Sequence, residues 1–292
     1  MCRLFGMSGG REPVTARFWL LAAPDSMERQ SHREPDGTGL GVFDPGGRAH
    51  VHRSARPAFR DPEFRREALT VRSRTFVSHL RFASTGAVEL RNTHPFEQDG
   101  RLLAHNGVLE DLDRLDAELG GDMALVRGDT DSERFFALVT RETRRAGGDP
   151  GAGLTAAARW AADNLALYAL NVVLTTPDGL WALRYPDTHR LLVLERSPGG
   201  HRGREPFRGR GPVARFAAHC DELAHRAAVV VASEPLDDDP GWRDLAPGEL
   251  LHAGPDLAVT STIALREPPR HALTLEDLQP SAAASQTAHP KD

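Results

Sequence analysis

The sequence predicts an α+β fold in which two β-sheets have helices packed between or around them. Short apolar runs rich in β-branched residues and phenylalanine recur in two groups, one early in the chain and one after residue 168. Segments with helical spacing lie between and after the first group. This order of strands, helices and strands departs from the strict alternation of a parallel βαβ fold. At 292 residues the chain is long enough for a large core, and no internal repeat is visible.

The first group of strands is read at 2–8 (CRLFGMS), 39–43 (GLGVF), 75–82 (TFVSHLRF) and 101–107 (RLLAHNG). A helix is expected over 61–73, where Asp61 and Pro62 stand at favoured N-terminal positions. Another is expected over 131–145 (DSERFFALVTRETRR), with Phe135, Leu138 and Val139 on one face. Its acidic residues come first and its arginines last, as the helix dipole prefers. A helix at about 154–167 leads into strands at 169–176, 179–185, 190–196 and 227–233, and Asp178-Gly179 signals a hairpin between the first two. The Gly/Pro/Arg-rich stretch 197–215 reads as a mobile loop, and the Pro/Ala/Ser/Gln-rich stretch 266–292 as a disordered tail. The domain is therefore expected to span 2–265.

Composition excludes several classes of function. A net charge of −5 gives no electrostatic case for a nucleic-acid partner, and no aromatic platform alternates with the arginines of 197–215. Lys291 is the only lysine among 36 basic residues, a bias that fits a GC-rich coding sequence better than a phosphate-binding device. Cys2 and Cys220 cannot make a disulfide framework, and neither a signal sequence nor a long apolar span is present. These features lead to the expectation of a cytoplasmic protein with reduced thiols and no membrane association.

Cys2 is the most unusual residue. If Met1 is removed, Cys2 carries a free α-amine beside its thiol, and an amine of pKa about 8 can accept the thiol proton near neutral pH. By itself a cysteine here could equally be a small buried hydrophobe. Other groups complement it. Arg81 ends an apparent strand and offers a fork for a carboxylate. Asn106 and the backbone N–H of Gly107 could aim at one oxygen, although Asn-Gly is also a common turn. Asp129, Thr130 and Asp131 open the 131–145 helix, where they could cap it or face an ammonium group. A carboxylate, an ammonium and an electrophilic carbonyl together describe an amino acid with a side-chain amide. Glutamine fits, and asparagine is not excluded.

With MCRLFG at the start, HLRFASTG (79–86), NTHPF (92–96), AHNG (104–107) and GDTDSE (128–133) following in order, the sequence resembles the class II glutamine amidotransferases. SEPLDDDPGWRDLAPGELL (233–251) resembles the closing segment of the stand-alone, YafJ-like group. The resemblance implies the four-layer αββα sandwich of N-terminal nucleophile (Ntn) hydrolases and a catalytic set of Cys2, Asn106 and Gly107. Cys2 would attack the glutamine amide and pass through a γ-glutamyl thioester, while Asn106 and Gly107 would hold the oxyanion. Arg81 would bind the α-carboxylate and Asp131 the α-amine, with Ser84 and His94 bordering the substrate.

His79, His94 and His105 match no standard zinc spacing, and the family mechanism implies no metal or cofactor. Two positions depart from the family pattern: Thr38 stands where many relatives carry tryptophan, and Ser84 where threonine is common. The resemblance implies release of ammonia to a separate synthase or simple hydrolysis. The alternatives are a hydrolase of γ-glutamyl amides, as in the ergothioneine pathway, and a non-catalytic ligand-binding relative.

Overall fold

The computed structural model describes residues 2–82, 89–200 and 225–287. Two sheets face each other. The first contains β1 (Arg3–Ser8), β2 (Gly37–Phe43), β3 (Ala49–Ser54), β4 (Thr75–Arg81), β9 (Leu192–Arg196), β10 (Ala228–Ala232) and β11 (Arg243–Asp244), in the antiparallel order β11-β9-β10-β1-β4-β2-β3. The second contains β5 (Phe96–Gln98), β6 (Arg101–Leu109), β7 (Ala166–Thr175), β8 (Leu180–Leu183), β12 (Glu249–Ala253) and β13 (Val259–Ile263), in the order β13-β12-β8-β7-β6-β5. A two-residue strand, β14 (His271–Ala272), pairs parallel with the start of β7.

The period-two alternation of the strands sorts side chains into three apolar layers. Leu4 of β1, Val77 of β4, Leu102 and Ala104 of β6, Val173 of β7 and Val229 and Val231 of β10 meet between the sheets. Their neighbours Phe5, Met7, Phe76 and Val230 turn outward and pack under Phe18, Trp19, Met27 and Phe64. Those four belong to a π-helical turn (Phe18–Ala22), α1 (Met27–Gln30) and α2 (Pro62–Thr70). On the far side, Leu103, Val172 and Leu174 pack under α3 (Leu112–Leu119), α4 (Asp131–Arg145) and α5 (Pro150–Asn164). The layering is αββα, as the family resemblance implied.

Capping chemistry sets the helix boundaries. Thr130 Oγ1 accepts from Glu133 N at 3.3 Å, so α4 spans the residues expected of it. Asp61 accepts from Glu63 N and Phe64 N, which starts α2, but its end at Thr70 comes before the expected one because Ser73 pairs with Val14. The helix expected at 154–167 is instead α5. Asp149 Oδ1 accepts from Gly151 N at 2.8 Å and from Ala152 N at 3.1 Å, with Pro150 at the first turn. It stops at Asn164 because residues from Ala166 onward are claimed by pairing with β6.

Composition suggested a disordered tail from residue 266, yet the described part of that segment runs as a strap along the second sheet. Arg270 N donates to Ala162 O and Leu273 N to Leu167 O, each at 2.9 Å. Leu278 and, in α6 (Pro280–Gln286), Ala282 then pack on Val108, Tyr168 and Ala169. Residues 201–224, which include most of the arginine-rich stretch and Cys220, lie outside the described residues, as do 288–292. Among the described residues no helix is long and apolar enough to cross a membrane.

Asp149→Ala removes the cap of a helix whose inner face is packed on β7, and is expected to cost about 1 kcal/mol of stability. Urea unfolding should show a lower midpoint with an unchanged slope. An unshifted midpoint would mean that packing alone defines the start of α5.

Candidate active site

Cys2 immediately precedes β1, the central strand of the first sheet, and its thiol turns toward the end of the neighbouring β4. Sγ lies 3.1 Å from Phe82 N, which donates to it, and 3.2 Å from Phe82 O, to which the thiol can donate. Burial pushes the Cys2 thiol up to about 11, the Phe82 N–H opposes that rise and Glu34 adds to it. At neutral pH the group is therefore a thiol, and attack on an electrophile requires a base.

Asn106 reaches Cys2 from the second sheet. Its Nδ2 donates to Cys2 O at 2.6 Å and lies 3.4 Å from Ser233 Oγ, while Oδ1 faces His79 Nε2 at 3.2 Å. An amide oxygen only accepts, so His79 carries its proton on Nε2 and fixes which way the Asn106 amide points. Burial holds His79 near 3, so the ring stays neutral in this role. Gly107 follows at φ +152°, and a Cβ there would lie 1.8 Å from Ala169 O. Only glycine brings the β6 backbone this close to β7.

Asp131 stands in the first turn of α4, where Oδ2 accepts from Leu109 N at 3.0 Å and Oδ1 from Ser132 N at 2.8 Å. The first bond pins α4 to the irregular end of β6 between Val108 and Leu109. Ser132 Oγ also lies 3.2 Å from Oδ1 as a donor, and these contacts leave one side of Oδ2 for a ligand. His105 lies beside it, with Nε2 3.3 Å from Ala169 O and Nδ1 2.9 Å from Ser132 Oγ. Burial lowers the His105 pKa, and Asp131 partly offsets this.

Arg81, the last residue of β4, is 5% exposed. Burial lowers its pKa while Cys2, Asp36 and Asp131 raise it, so the guanidinium remains a cation beside two carboxylates and the thiol. His94 completes one wall. Its ring is 4.3 Å from that of His79 and 4.7 Å from that of Phe96, and neither ring nitrogen has a hydrogen-bond partner among the described residues. Burial, reinforced by His79, keeps this imidazole neutral. A Cβ at Gly39 would come within 1.8 Å of His94 O, so a bare backbone in β2 is what lets the His94 segment settle.

Cys2, Arg81, His94, Asn106, Gly107 and Asp131 thus line one pocket, together with His79 and His105. Ser84 lies outside the described residues. Thr38 is buried in β2 opposite Leu80 and Ser54 and is not among the lining residues. Sequence reasoning missed Glu34, which is buried beside Arg3 at 3.2 Å and pushed up to about 7 by burial. It also missed Gln286, which α6 carries into the pocket wall from a segment whose composition gave no such signal.

The family profile of class-II glutamine amidotransferases matches residues 1–274. The chain is 28% identical to the putative glutamine amidotransferase YafJ of Escherichia coli, covering 85% of this chain and 96% of that protein. It is 31% identical to the gamma-glutamyl-hercynylcysteine sulfoxide hydrolase of Mycolicibacterium smegmatis, covering 80% of this chain and 84% of the relative. It also matches glutamine–fructose-6-phosphate aminotransferase of Bradyrhizobium diazoefficiens at 30% identity, but spans only 22% of that protein. Its backbone resembles glutamine phosphoribosylpyrophosphate amidotransferase from B. subtilis with a TM-score of 0.63 at 20% identity, over 91% of this chain and 50% of the other. That likeness is one of fold.

The raised thiol pKa has a direct consequence for reactivity. Alkylation of Cys2 by iodoacetamide, followed by peptide mass mapping, should keep accelerating beyond pH 9 without reaching a plateau there, because the thiolate fraction grows until pH approaches the raised value. A plateau near pH 7 would show that the thiol is already ionised in the resting protein.

Proposed function

The chain belongs to the class II glutamine amidotransferases, and from that premise we propose that it hydrolyses the γ-amide of glutamine through a thioester on Cys2 and releases ammonia. The convergence of Cys2, Arg81, Asn106, Gly107 and Asp131 on one pocket, from the residue before β1, from β4 and β6 in separate sheets, and from α4, carries this reading. In it, removal of Met1 gives Cys2 a free α-amine, which takes the thiol proton as Sγ attacks the γ-carbonyl. The oxyanion is met by the Asn106 amide and the Gly107 N–H. Collapse breaks the C–N bond, the amine returns its proton to the leaving nitrogen, and ammonia departs. Water then adds to the thioester, giving glutamate and the free thiol.

Arg81 holds the α-carboxylate and Asp131 the α-ammonium, so the two charges of the amino acid meet opposite charges that are already buried and in place. His94 offers a neutral donor to the substrate. The ammonia passes to a synthase on another chain, or hydrolysis is the whole reaction. The similarity to a gamma-glutamyl-hercynylcysteine sulfoxide hydrolase supports a second reading, cleavage of a larger γ-glutamyl amide by the same chemistry. The complete set of polar groups speaks against a relative that only binds ligands.

Purified protein is expected to lack Met1 by intact mass and to release ammonia from L-glutamine, and Cys2→Ala should lower that release by at least about a thousandfold. Ammonia release that survives the substitution would remove Cys2 from the reaction.

A further inference from the structure

Strand order orients the substrate. Arg81 ends β4, which flanks β1 on one side, whereas β10 flanks β1 on the other and is followed at once by Ser233. Next to β10 comes β9, and His189 lies three residues before it. Neighbouring strands are about 4.8 Å apart, so a substrate with its α-carboxylate at Arg81 and its carbonyl over Cys2 continues toward Ser233 and His189. The leaving group emerges on that side.

This side is covered. Gln286 Oε1 lies 2.8 Å from His189 Nε2, its Nε2 donates to Ser285 Oγ at 2.9 Å, and Ser285 Oγ donates to Ala282 O at 2.7 Å. These bonds fix the side chain, which is 5% exposed and lines the pocket with Cys2, Asn106 and Gly107. The helix behind it rests on Val108, the residue after Gly107, and on Ala169, whose carbonyl lies against Gly107. One short helix therefore spans from the loop before β9 in the first sheet to β6 and β7 in the second.

We propose that α6 forms the leaving-group wall of the pocket and that Gln286 is its specificity-determining residue, selecting primary amides over γ-glutamyl amides with bulky leaving groups. The inference rests on the γ-amide hydrolase reading above. Ammonia needs little room beyond the scissile carbon, whereas an aryl or alkyl amine must occupy space that the Gln286 carboxamide fills. The attachments of the wall include the side-chain bond to His189 and the apolar contacts of Leu278 and Ala282, and each can be broken without touching Cys2, Arg81, Asn106 or Asp131.

The test compares kcat/KM for L-γ-glutamyl-p-nitroanilide with that for L-glutamine in the full chain, in Gln286→Ala, which makes the wall smaller, and in Ala282→Arg, which undocks the helix. The wall predicts that wild type strongly prefers glutamine and that both substitutions raise the anilide-to-glutamine ratio, by about tenfold or more. A wild type that takes both amides equally would overturn the proposal. So would a ratio that stays put in both variants, even if Ala282→Arg loses activity toward both substrates in parallel. Wild type inert toward both amides contradicts the hydrolase reading and the wall with it, whereas an unchanged ratio in an active enzyme contradicts the wall alone.

Discussion

The hydrogen bond from Asn106 Nδ2 to the carbonyl of Cys2, 2.6 Å long and buried between the sheets, is the contact on which the site's arrangement depends. It joins the residue just before the central strand of one sheet to the middle of a strand in the other. A bond of this kind contributes about 1 kcal/mol net, and without it the buried carbonyl would keep only the longer contact from Arg3 Nη1 at 3.5 Å. Its geometry is enforced from both ends. His79 holds the amide from the Oδ1 side, and Ser233 lies near its nitrogen while accepting from Leu4 N at 2.8 Å. Cys2 is thus positioned through its own backbone rather than through its thiol.

The surroundings of that bond are dry. His79, His94 and His105 are buried and neutral, so among the described residues of the pocket the lasting positive charge is that of Arg81, and Asp131 supplies a negative counterpart. In a medium of low polarity the field of such charges is weakly screened. Glu34 is a buried carboxyl beside Arg3 that burial pushes up to about 7.

How far the sequence revealed this can be judged residue by residue. The ends of α4 were legible because Thr130 caps it, acids open it and arginines close it, all local signals. The start of α5 was obscured because Gly151 and Gly153 weaken helix propensity just where Asp149 and Pro150 impose it. The strands β12 and β13 were not anticipated at all, since their stability comes from pairing with β8 rather than from their own pattern. Cys2, Arg81, Asn106, Gly107 and Asp131 were each chemically suggestive in isolation, but their meeting in one pocket depends on strand order, which only the family resemblance implied. The strap was illegible for a different reason. Leu278 and Ala282 are too few apolar residues to fold alone, and suffice only because Val108, Tyr168 and Ala169 present a finished surface.

The central claim is that Cys2 attacks an electrophile held where the γ-carbonyl of glutamine would lie. Reaction with a diazoketone analogue of glutamine, 6-diazo-5-oxo-L-norleucine, followed by peptide mass mapping, tests it most directly. The account predicts a single adduct on the Cys2 thiol of a peptide lacking Met1, formed more slowly when L-glutamine is present. An unmodified Cys2, or an adduct elsewhere that glutamine does not suppress, would contradict it.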